Sequence, residues 1–170
     1  MKQYYFTEAG YEKLRKEIEQ TERYLKKDIA REIATAREHG DLRENAEYES
    51  AKNKQANYMA KLGLLQERFQ NARIIRKGDL PDGVVTLGKV VTIQDTASRR
   101  EEKYIILGDG ETDIEKDIIS YQSPLAKSLM NHKVGEVVEV KLPRGVKKYE
   151  IKAIGFYEEA APEEAAPVGA

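Results

Sequence analysis

Apolar side chains recur along the first half of the chain with helical spacing. From residue 48 they fall at Tyr48, Ala51, Gln55, Tyr58, Leu62, Leu65, Phe69 and Ala72, with Gln55 the one polar member. The steps alternate between three and four residues. Such a heptad seam, with a mean step of about 3.5, predicts a left-handed supercoil with a partner helix. Upstream, Tyr11, Leu14, Ile18, Thr21 and Leu25 follow the same alternation. The seam then continues through Ile29, Ile33 and Ala36, skipping a step at Asp28. Successive four-residue steps resemble a stutter, which locally unwinds a coil.

Local signals bound these helices. Thr7 precedes the first periodic run as a candidate N-cap. Gly40 offers a stop, because glycine tolerates the left-handed conformation that ends helices. The interruption His39-Gly40-Asp41-Leu42 is short, so the two helices must run antiparallel. A helix of about 30 residues at ~1.5 Å per residue is roughly 45 Å long. The corner at 39–43 is thus expected at the tip of a long finger. Homodimerisation through the same seams is the alternative. The short connection favours pairing within the chain, and a monomer is expected.

From Asp79 onward the pattern changes. "LPDG" reads as a turn, and "GKVVTIQDT" and "KYIILGDG" read as Val- and Ile-rich strands. "SPLAKSLMNH" reads as a short helix with Ser123 as N-cap and Pro124 at its first position. The segment from Gly135 to Tyr157 reads as a hairpin turning at Pro143-Arg144-Gly145. The predicted fold class is α+β: an antiparallel coiled-coil hairpin over 1–76 and a small antiparallel sheet packed on one helix over 77–158. Residues 159–170 lack large apolar side chains and are expected to be disordered.

Composition narrows the function classes. Of 170 residues, 35% are charged and only 8% aromatic, a thin core inventory that suits a solvated helical element plus a smaller folded body. The absence of Cys excludes disulfides and thiolate metal sites. No apolar stretch approaches the ~20 residues that span a bilayer, and the first residues lack a signal-peptide core. A cytoplasmic location without membrane attachment is expected. Residues 1–76 carry a net +3 and residues 77–170 a net −4. Neither value supports strong generic nucleic-acid binding. Any such role must be local or assisted by a partner.

Two carboxylates, Asp41 and Glu44, follow the break three residues apart. One reading is structural: Asp41 and Glu44 form a reciprocal helix cap and complement the helix dipole. The other is chemical. Two carboxylates one turn apart can share a divalent cation, above all Mg²⁺, which takes few carboxylates and keeps several waters. Such a site is incomplete unless another molecule supplies the remaining ligands. The readings are compatible, since a cap can hold the acids in place for a partner. Glu47 and Glu49 read as solvated face.

"GDLRENAEYESAK" resembles the tip motif of the bacterial Gre transcript-cleavage factors, of the GreA type. "TEAGYEKLRKEIE" is similar to that family's first helix. "SPLAKSLMNHKVGEVVEV" and "LPRGVKKYEIKAIGFY" are similar to its C-terminal domain. The resemblance implies a coiled-coil finger and a C-terminal FKBP-like domain without isomerase activity. It implies bacterial RNA polymerase as partner. The globular domain would dock at the rim of the secondary channel, and the finger would reach toward the active centre. The factor would then stimulate the polymerase's own cleavage of backtracked RNA.

Carried over residue by residue, Asp41 and Glu44 match the essential acids, which share a Mg²⁺ with the polymerase. They make the chain an accessory factor and not a free-standing enzyme. Asn45 and Tyr48 match tip-shaping positions. Arg37 and Lys52 match basic positions facing the extruded 3′ end of the nascent RNA. Ser123, Pro124 and Leu125 match the segment implied in polymerase docking. Arg43 departs from the pattern, standing where the family often has a small polar residue. That leaves open a paralogue that occupies the channel and inhibits without cleaving.

Overall fold

The computed structural model describes residues 1–40 and 46–158. They form two compact units: Tyr11–Asn71, and Met1–Gly10 together with the chain from Ala72 onward. Each is taken in turn.

The helical unit is built from α1 (Glu8–Tyr24), α2 (Ala30–Glu38) and α3 (Ala46–Gln70). Both seams lie where the spacing puts them. Leu14, Thr21, Ile29, Ile33 and Ala36 are buried on the first arm, and Ala51 and Leu65 on the second. Cross-arm contacts run in opposite chain directions, as an antiparallel hairpin requires. Tyr11 stacks on Phe69 with centroids 4.8 Å apart. Further along, Tyr24 meets Tyr58 edge-on at 4.9 Å. Lys61 pairs with Glu17 at 3.0 Å and Lys54 with Glu32 at 2.9 Å.

Two details differ from the spacing argument. Between α1 and α2 the chain stays helical but widens into a π-turn over Leu25–Ile29. A stutter predicts distributed unwinding of the coil. Here one extra residue is instead confined to a single wide turn, and the seam resumes in phase. Ala72, the last member of the second seam by spacing, lies beyond the helix in a strand.

The second unit holds a two-stranded parallel ribbon and a five-stranded sheet. In the ribbon, β1 (Tyr4–Phe6) pairs with β2 (Ala72–Ile74). The sheet runs in the order β5 (Ile118–Ser120), β4 (Glu101–Leu107), β3 (Lys89–Asp95), β7 (Gly145–Phe156), β6 (Val137–Leu142). Every pairing in it is antiparallel, as expected, except the edge pair β4–β5, which is parallel. Alternation along β3 and β7 sends Val91, Ile93, Tyr149 and Ile151 to one face. There they pack with Val138, Val140 and the buried face of α4 (Pro124–Leu129), through Ala126 and Leu129. The result is an α+β arrangement, the predicted fold class.

Thr7 caps α1 by accepting a hydrogen bond from the Gly10 amide at 3.0 Å. The Glu111 carboxylate accepts from the Thr7 hydroxyl and from its amide, the latter at 2.9 Å. Glu111, remote in sequence but in the same unit as Thr7, thus holds the capping residue in place. Among the described residues, no helix is long and apolar enough to cross a membrane.

Candidate functional site at the hairpin corner

The corner is built by two helix ends. α2 closes at His39, whose amide donates to the Ala36 carbonyl at 3.3 Å. Gly40 follows with φ 111°, a conformation that side-chain-bearing residues rarely adopt. α3 opens at Ala46 with Glu47 and Glu49 in its first turn, where acids suit the helix dipole. Small side chains bring the arms close here: Ala36 and Ala51 are 2% and 4% exposed. Beside them lies a shallow groove edged by Arg31, Glu32 and Glu47.

Asp41, Glu44 and Asn45, the centre of the sequence-derived site, fall outside the described residues, as does Arg43. The Arg37 guanidinium sits 5.8 Å from the centroid of the Tyr48 ring, and Tyr48 is half-buried against the hairpin core. The structure thus brings together one residue expected to face RNA and one expected to shape the tip. Lys52 is exposed one turn further on and donates to the Gln55 side chain at 3.0 Å.

One contact escaped the sequence reading. His39 Nδ1 lies 3.0 Å from Glu47 Oε2, bridging the two arms across the corner. Glu47 is therefore more than solvated face. The two residues stand eight apart and on different helices, a distance at which no periodic signal links them.

The docking segment lies in the other unit. Ser123 caps α4 by accepting from the Ala126 amide at 3.2 Å. Pro124 is exposed at the first helical position, and Leu125 is half-buried against the sheet core. Pro124 is the surface element of the three.

Among the described residues, no group of three His, Cys, Asp or Glu side chains is placed to hold a metal ion. For a magnesium ion, the test is the chemistry of the donor set. Asp41 and Glu44 offer hard carboxylate oxygens, which fit that ion, and they are too few to enclose it.

Family models match both halves of the chain. The model described as transcription elongation factor, N-terminal, covers residues 4–74. The model described as transcription elongation factor, GreA/GreB, C-term, covers residues 80–156. The transcription elongation factor GreA of Nautilia profundicola is 43% identical over 150 residues, spanning 88% of this chain and 93% of that protein. The GreA of Thermotoga petrophila is 42% identical over 154 residues, spanning 91% and 98%. A crystal structure of the GreA factor homolog Gfh1 of Thermus thermophilus aligns over 91% of this chain and 99% of its own at 27% identity, with a TM-score of 0.42. Two domain models in tandem, with full-length relatives above two-fifths identity, place the chain: it belongs to the GreA/GreB family of transcription elongation factors.

Proposed function

We propose that this protein binds bacterial RNA polymerase in the cytoplasm, inserts its hairpin into the secondary channel and stimulates cleavage of backtracked nascent RNA by the polymerase itself. The observation that carries this reading is the pairing of family membership with two acids at the corner of an antiparallel hairpin. A hairpin of two packed arms is stiff. Its 25-residue second arm extends about 38 Å at ~1.5 Å per residue. Such an element can carry a corner into a site that another protein owns.

In this reading Asp41 and Glu44 would hold one magnesium ion together with carboxylates of the polymerase. When bound, that ion activates a water and offsets charge developing on the phosphodiester. The chain would contribute the two acidic ligands, and it is an accessory factor without a complete active site. Arg37 and Lys52, exposed on either side of the corner, would contact RNA phosphate. Tyr48 holds the Arg37 guanidinium near its ring. Pro124 and its neighbours would form part of the surface that docks on the polymerase.

The test compares wild type with Asp41→Asn on purified backtracked complexes. Asn caps a helix about as well as Asp. A purely structural role therefore leaves cleavage unchanged. The proposed role gives loss of stimulated cleavage with polymerase binding and thermal stability retained. Wild-type protein that blocks nucleotide addition and cleaves nothing would establish the inhibitor reading instead.

A further inference from the structure

The five-stranded sheet has two edges, and the chain treats them differently. At one edge, β5 is three residues long and its first residue is already bonded on the outer side. The Ile118 amide donates to the Asp113 carbonyl at 2.9 Å, and the Asp113 amide donates to the Ile118 carbonyl at 3.0 Å. At the other edge, β6 is six residues long. Among the described residues, no strand pairs with its outer side. An open edge of this length is a template for another strand unless something along it repels one.

The ladder to β7 fixes which groups of β6 face outward. The Ile151 amide donates to the Glu136 carbonyl at 2.9 Å. Antiparallel ladder bonds recur at every second residue. Val138, Val140 and Leu142 therefore turn their backbone groups to β7, and those of Val137, Glu139 and Lys141 point away from it. Side chains follow the same alternation. Val138 and Val140 are buried and Leu142 is half-buried against the core, whereas Val137, Glu139 and Lys141 are exposed. No proline interrupts the strand, and its two charges have opposite signs. Glu139 has Lys148 of β7 at 3.7 Å on its inner side. Lys141 stands opposite the exposed Val146 and makes no ion pair among the described residues.

We propose that β6 is a homodimer edge: two copies of the chain pair β6 with β6, antiparallel about a two-fold axis at Val140, and so continue the sheet from one copy into the next. An axis normal to the sheet keeps both apolar faces on the same side, as a closed two-fold pair requires. Charge selects the register. With Val140 facing its own counterpart, Glu139 stands directly opposite Lys141 of the second copy, and Lys141 opposite Glu139 of the second copy. The outward backbone groups of both residues then meet partners. Each Glu139 lies between two lysines, Lys148 on its own β7 and Lys141 across the axis. Moving one copy by two residues sets Glu139 against Glu139, or Lys141 against Lys141, and like charges directly opposite are destabilising. A move of one residue inverts the faces. The helical seams take no part, so the hairpin still pairs within each chain.

None of this depends on the proposed role in cleavage. A six-residue edge is a small interface of the weak, transient class. The full-length protein is therefore followed by sedimentation from ~10 µM to about 1 mM. The variants are Glu139→Lys, Lys141→Glu and the two combined. Both side chains are exposed, so the substitutions leave the fold intact, which far-UV circular dichroism checks. Each single swap turns two attractive pairs into two repulsive ones and should weaken the dimer about tenfold or more. The combined swap exchanges the partners' positions and should return the dissociation constant to within about threefold of wild type. On concentrating wild type, the amides of Glu139 and Lys141 should exchange more slowly. Those of Val138 and Val140, already bonded to β7, should change less.

A wild type that stays monomeric throughout, a dimer indifferent to both single swaps, or a combined swap as weak as either single one would overturn the proposal. So would protection of the Glu139 and Lys141 amides that appears only when RNA polymerase is added, which would assign β6 to an extended segment of that enzyme.

Discussion

His39 and Glu47 meet at 3.0 Å across the corner of the hairpin, one at the end of the first arm and the other in the opening turn of the second. Both are well exposed, with side chains 56% and 72% accessible. An exposed pair of this kind contributes about 0–1 kcal/mol, too little to matter to the fold. Its place matters more, since it ties together the two ends of the segment holding Asp41 and Glu44. Glu47→Ala should therefore leave the melting temperature within ~4 °C of wild type, yet lower stimulated cleavage several-fold. A double-mutant cycle with His39→Ala should show non-additive losses. Additive or absent losses would return Glu47 to the solvated face.

Arg37 leads to the second expectation. Its guanidinium is held 5.8 Å from the Tyr48 ring centroid, an exposed cation–π contact of about 0.5–1 kcal/mol. If its task ends with Tyr48, Arg37→Ala costs that much stability and nothing else. If it also meets RNA phosphate, each lost phosphate contact lowers the salt dependence of binding by about one unit in a log–log plot. Titrating wild type and Arg37→Ala onto backtracked complexes across a range of salt concentrations should give the shallower slope for Arg37→Ala. Identical slopes would remove Arg37 from the RNA interface.

Much of the architecture was legible in the sequence because it is periodic or punctuated. Seam residues such as Leu14, Ile33 and Leu65 announce themselves at heptad spacing. Thr7, Gly40 and Ser123-Pro124 are local signals whose physics acts over three or four residues. What escaped has neither property. β1, β2 and β5 are three residues long, too short for an alternation to register, and all three pair parallel, β1 with β2 across the whole helical hairpin and β5 with the preceding strand β4. Ala72 continues a heptad by number, although the helix ends at Gln70. The misfit near Asp28 was visible as arithmetic. Its resolution as one wide turn at Leu25–Ile29 is a choice among three equal steps, which spacing within one helix cannot make.

Lys89 carries a third expectation, with a sign opposite to intuition. Its side chain is 1% exposed. The ammonium donates to the Pro81 carbonyl and lies 3.8 Å from the centroid of the Phe156 ring. Lys77 approaches the same ring at 5.2 Å. Removing a buried charge while keeping its volume is often neutral or stabilising, because its desolvation no longer has to be offset. Pro81 is exposed, so water can satisfy its carbonyl once the ammonium is gone. Lys89→Met should therefore hold or raise the melting temperature. Lys89→Ala should lose about 2–4 kcal/mol to the cavity left by the stem. A Met variant as unstable as the Ala variant would show that the ring–cation contact dominates.

Two glycines separate space from backbone freedom. Gly108 has φ −74° and ψ 165°, values that any residue adopts. Its need for a bare α-carbon is purely one of room, because a Cβ there would run into the Tyr5 carbonyl of β1. That neighbour is backbone, held in register by the pairing of Tyr5 with Arg73, and it cannot swing aside as a side-chain tip can. Gly108→Ala must push β1 off its site, at a cost of about 1–3 kcal/mol. Gly63 sits inside α3 with nothing within 4 Å of a built Cβ. There alanine brings only better helix propensity, about 0.5–1 kcal/mol of stabilisation. At roughly 2–4 °C per kcal/mol for a chain of this size, thermal melts should move in opposite directions for the two substitutions. The Gly63→Ala gain should appear in far-UV helicity. The Gly108→Ala loss should appear as faster hydrogen exchange at the β1–β2 ribbon, and an unchanged ribbon would mean that β1 yields more easily than a paired strand should.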